Sequence, residues 1–201
     1  MWKTPRLLSI TALLALGAAS SFSGVAHAAG GATTATLSGG SLTITGGAPG
    51  TFTANLTGAN QTVDTSLAAY TVTDATGTGA GWNVTAQATQ FTCVVGVGGD
   101  AGCKTGFTTL PLSSLTIAPP AAACASGSTC TGSPTVSISA VTAIDGAAAV
   151  KVLSAAANTG AGSFTVTPGT MGTGQLALAI PGNALATIYH STLTITVISG
   201  P

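Results

Sequence analysis

Glutamate does not occur in this sequence, and arginine occurs once, at Arg6. Charged residues make up 4% of the 201, four basic against four acidic. A nucleic-acid binder needs a basic footprint to displace counterions from phosphates, so that class is excluded. Attraction to anionic lipid through clustered basic residues is excluded on the same ground. No apolar run reaches the roughly 20 residues that a membrane-spanning helix needs. Past the N-terminal segment, helical periodicity is also missing.

Catalytic constellations are missing as well. Beyond residue 28 there is one histidine, His190, and alternation along its segment sets it on the solvent-facing side with Thr192 and Thr194. A serine triad would need it as base, yet no G-x-S-x-G elbow occurs. Glycoside hydrolysis needs two carboxylates across a substrate; Asp64 and Asp74 are the only two aspartates close in sequence. There is no D-x-D-x-D run for calcium and no phosphate-cradling glycine motif. Asp100 and Asp145 sit in glycine turns, which account for them. The expectation is no enzyme, no cofactor and no metal.

What is present begins with an export signature. Lys3 and Arg6 precede an apolar stretch from Leu7 to Ala19, and Ala26-His27-Ala28 forms an A-x-A site. This predicts a signal peptide over residues 1–28, cleaved before Ala29, and one exported domain over residues 29–201. That domain keeps two lysines against four aspartates, a formal net charge of −2. No LPxTG-like sorting motif is seen, so attachment to a surface would be non-covalent. Four cysteines remain: Cys93, Cys103, Cys124 and Cys130. An even number in an exported chain reads as two disulfides. Three pairings are possible, and the local pairs 93–103 and 124–130, each closing a glycine- or serine-rich loop, are favoured over a metal site.

The hydrophobic period is 2 nearly throughout. Leu42 and Ile44 alternate with Ser and Thr; so do Phe52, Ala54 and Leu56 within Thr51–Thr57. Trp82, Val84, Ala86 and Ala88 repeat the pattern, as do Phe164 with Val166, Leu176 with Leu178 and Ile180, and Tyr189 with Leu193, Ile195 and Val197. Such alternation, rich in threonine and β-branched residues, marks half-buried strands. Asp145-Gly146 reads as a two-residue hairpin turn. The Ala121–Ala123 run, behind Pro119 and Pro120, reads as loop, and residues 119–134 as an insertion or linker. The predicted fold is all-β, an antiparallel β-sandwich of about ten short strands. Asn55, Asn60 and Asn83 match glycosylation acceptors, as chance provides in so threonine-rich a chain.

Two segments say more than composition. The first, residues 71–91, contains Asp74, then Gly77, Gly79 and Gly81, then Trp82-Asn83-Val84. The second, residues 189–201, starts at Tyr189 and runs through Leu193, Ile195 and Val197 to Pro201. Together they resemble the WxL family of bacterial surface proteins, loosely over residues 33–201. In that family a Trp-x-Leu motif follows an Asp and a glycine-rich turn, and a second Tyr-led motif closes the chain. Asp74, Gly77, Gly79, Gly81 and Trp82 match the first motif, with Val84 in place of Leu. Tyr189 and Leu193 match the second, but Ile195 stands where its Trp would be and Val197 where its Leu would be.

The resemblance implies a secreted, cell-surface β domain that associates non-covalently with the cell wall, through peptidoglycan, and with other surface proteins. Trp82 and Tyr189 become the ligand-binding candidates, Trp82 beside a role as core anchor. Asp74 and the three glycines become the turn that presents Trp82, with Asp74 bonding backbone N–H groups of the turn. The rival reading is a structural subunit, pilin- or coat-like, pairing through its edge strands.

Overall fold

The computed structural model describes residues 33–201, and Leu37–Pro201 form one compact unit. The expected signal peptide lies outside the described residues. Eleven strands follow in order: β1 (Leu42–Gly46), β2 (Gln61–Thr65), β3 (Tyr70–Asp74), β4 (Trp82–Ala88), β5 (Leu115–Cys124), β6 (Thr135–Val136), β7 (Thr142–Ala143), β8 (Val150–Ala155), β9 (Gly162–Gly169), β10 (Leu176–Ile180) and β11 (Leu193–Ser199). They form two antiparallel sheets. One has the order β1-β3-β9-β5-β10-β2, with β7 also on β5; the other has the order β11-β4-β8-β6. The fold is the expected all-β sandwich.

The larger sheet is simpler than its strand count. β2 and β3 are two halves of one extended run, β2 pairing with β10 and β3 with β9. β9 and β10 are likewise halves of one run, separated by residues 170–175, which loop out around a Met171–Gly174 bridge. Asp64 holds this excursion, its Oδ2 accepting the Thr173 N–H at 3.0 Å.

Alternation supplies the core. Val72, Phe164, Val166, Leu176 and Leu178 of the larger sheet are buried in one cluster with Trp82, Val84, Ala86, Val152 and Leu153 of the smaller. Each large apolar side chain so enclosed contributes roughly 1.5–3 kcal/mol. The two disulfides are the local ones, Cys93–Cys103 and Cys124–Cys130.

Four expectations need correction. Residues 119–124 are not loop: β5 runs through Pro119 and Pro120 to Cys124. The prolines fall where β5 changes partner from β10 to β9 and the register shifts between Ala118 and Ala121. A residue without an N–H is tolerated at such an irregularity. Asp145-Gly146 is not a tight hairpin: β7 before it lies in the larger sheet and β8 after it in the smaller. Thr51–Thr57 is extended but joins no ladder. Tyr189 precedes the last strand, which starts at Leu193.

Candidate functional site

The Asp74–Trp82 segment joins β3 to β4 and so crosses from one sheet to the other. Asp74 is buried, and its Oδ1 accepts from the N–H of Thr76 at 3.0 Å and from its hydroxyl at 2.6 Å. The expected backbone bond is there, but to Thr76 rather than to a glycine. Gly77, Gly79 and Gly81 all adopt positive φ. At Gly81 this matters most, because a Cβ would strike the carbonyls of Ala155 and Ala156.

Trp82 emerges from that turn fully buried. Its Nε1 donates to the Gly160 carbonyl at 2.9 Å, and its ring meets Phe164 edge-on at 5.9 Å. The indole has its polar and apolar partners inside the protein and presents no surface to a ligand in this conformation. Gly160 makes the fit possible, since a Cβ there would lie 2.6 Å from Nε1.

The second motif lies against the first. β11 pairs with β4, setting Val197 opposite Val84 and Ile195 opposite Ala86. Ile195, where a second tryptophan would stand, is half-buried, with its Cδ1 3.1 Å from the point a Cβ of Gly47 would occupy.

Tyr189 lies elsewhere, half-buried on the wall of a groove of about 840 Å³. One bank is residues 49–56, the other residues 184–191, and Phe91, Leu176 and Ile180 line its apolar interior. The Tyr189 hydroxyl accepts from the Leu185 N–H at 3.3 Å. The near bank continues the register of β1 on β3: past the Pro49–Leu67 bridge, Thr51 falls beside Thr65 and Asn55 beside Gln61. Side chains take over there, with Thr65 Oγ1 donating to the Thr51 carbonyl at 2.8 Å and Gln61 Nε2 to that of Asn55 at 3.1 Å. This substitution is why residues 51–57 form no strand.

At the groove's rim stands His190. Its ring is 62% exposed, as expected, but Nε2 lies 2.8 Å from Oδ1 of buried Asp100. Asp100 belongs to the loop closed by Cys93–Cys103, and its Oδ2 accepts the Val94 N–H at 2.7 Å. That backbone bond, with help from His190 and against the effect of burial, holds the Asp100 carboxyl below the usual range. The pair ties the loop to the segment entering β11. Sequence reasoning missed it, since no local signal links positions ninety residues apart.

A family model for the WxL domain, described as surface cell wall-binding, matches residues 30–201. The chain belongs to the WxL domain family. No curated protein and no solved structure matches it. Membership places this WxL protein at the cell surface, associated with the cell wall. Within it, the motif residues Asp74, Gly81 and Trp82 build the crossing between sheets, and the two motif strands are neighbours in the smaller sheet. Among the described residues no helix is long and apolar enough to cross a membrane, and no group of three or more His, Cys, Asp or Glu residues is placed to hold a metal.

Proposed function

We propose that this WxL domain holds the protein to the wall by binding peptidoglycan, without catalysis. Residues 1–28 act as the export signal, residues 29–201 are the mature domain, and other surface proteins are further partners. The family match over residues 30–201 carries the reading. The carboxylates support its non-catalytic half. Asp64 is engaged with Thr173, Asp74 with Thr76, Asp100 with Val94 and His190, and Asp145 with Ser114. Asp64 and Asp74 lie ten residues apart along one extended run, about 33 Å, too far to act as a glycosidase pair. With Trp82 enclosed, Tyr189 is the motif aromatic left for ligand contact.

The test is co-sedimentation of residues 29–201 with purified insoluble peptidoglycan, together with an assay for soluble muropeptides. The expected result is sedimentation with wall and no release above buffer. Folded protein that stays in the supernatant sinks the ligand, and released muropeptides sink the non-catalytic role.

One observation favours the assembly reading as a second function. Residues 51–57 are extended, yet none of their N–H groups bonds to another backbone group among the described residues. A row of unbonded backbone N–H groups beside an apolar groove is a template for strand addition.

A further inference from the structure

We propose that the apolar groove beside residues 51–57 receives the N-terminal strand, residues 33–39, of a second copy of this chain. This rests on the assembly reading above and names the strand that is added. Just past β1 the same edge of the larger sheet is closed by the smaller one, with Ile195 of β11 lying over Gly47. Further along, residues 51–57 and residues 184–191 are the two banks of the groove of about 840 Å³.

The groove has the chemistry of a missing strand. Its interior is apolar, and its rims carry Leu56, 41% exposed, and Ile188, 50% exposed. Along one bank the N–H groups of residues 51–57 have no backbone partner among the described residues. No lysine, arginine or aspartate lines it, so a charged ligand finds no counter-charge apart from His190 at the rim. An apolar small molecule would cover the side chains and leave the backbone unpaired. A strand with apolar side chains on one face satisfies both.

Residues 33–39 have that pattern. Ala35 and Leu37 alternate with Thr34, Thr36 and Ser38, and the segment carries no charge. Leu37 is 89% exposed and belongs to no strand. The segment cannot fill the groove of its own chain. The Gly40 N–H bonds the Ala75 carbonyl, whereas the groove bank begins where Thr51 meets Thr65. Ala75 and Thr65 are ten residues apart along the β2–β3 run, about 33 Å. Residues 33–39, fully extended from Gly40, reach about 25 Å. A second copy has no such limit. Other segments of that copy fit less well. Its residues 51–57 already pack Phe52 and Ala54 against their own core, and its exposed Val94, Val95 and Val97 are held in the loop closed by Cys93–Cys103.

The experiment is sedimentation velocity of residues 29–201 at rising concentration, with circular dichroism to confirm folding. Leu37→Asp spoils the inserted strand and Leu56→Asp spoils the groove; both positions are exposed and outside every strand. If Leu56→Asp does not fold, Ile188→Asp on the opposite rim replaces it. Wild type is expected to associate, and each variant alone about tenfold or more weakly, since a charge would enter an apolar site. An equal mixture of the two variants is expected to form a dimer and nothing larger, because one supplies the intact groove and the other the intact strand. A wild type that associates while either variant does so equally well, or a mixture that stays monomeric, overturns the N-terminal strand and leaves assembly through another edge standing. A wild type that stays monomeric overturns the assembly reading with it.

Discussion

Trp82 shows a family's signature residue acting from inside. Its indole is closed off by Gly160 and Phe164, so its removal empties the core rather than a binding face. Trp82→Ala is expected to lower stability by about 3–5 kcal/mol, read from denaturant unfolding. Tyr70 makes a second residue-scale prediction. Burial pushes its phenol up from 10.0 to about 12. The folded state thus favours the neutral form; that stability is complete below pH 10 and is lost as pH rises from 10 to about 12. Following phenolate absorbance against pH should show one group ionising late and together with unfolding. The core role of Trp82 was legible from its alternation with Val84, Ala86 and Ala88, and the cysteine pairs from their short separations in sequence. Asp145 was not: its glycine neighbour suggests a turn, whereas its bonds go to Ser114 and Leu115, thirty residues away.

Among the elements, period-2 alternation found the strands well where a strand keeps one partner throughout. It failed where partners change. β5 passes from β10 to β9 at two prolines, a junction that composition renders as loop. Residues 51–57 fail in the other direction, alternating like a strand while side chains of Thr65 and Gln61 occupy their carbonyls. If that bank accepts a strand from another molecule, Thr53→Pro should prevent it by removing an N–H and fixing φ. Thr53 is exposed and outside any ladder, so monomer stability should change by less than about 1 kcal/mol. Sedimentation velocity at rising concentration should show association by wild type and none by the variant. A wild type that stays monomeric removes the assembly reading.

Across the whole molecule, the sandwich uses few charges and many hydroxyls, so its solubility depends on keeping strand edges engaged. The crossing at Asp74–Trp82 and the pairing of β11 on β4 determine how that is done. Strand β4 lies in mid-chain, yet one of its two neighbours, β11, comes from residues 193–199. A chain made from its N-terminus therefore carries β4 with one edge open until more than a hundred further residues have followed. Contacts so distant in sequence are slow to form, because the loop between them must close first. The two family motifs, paired across that gap, make completion of the smaller sheet a late event in folding. Until then the domain is vulnerable to cleavage and to strand capture by its neighbours.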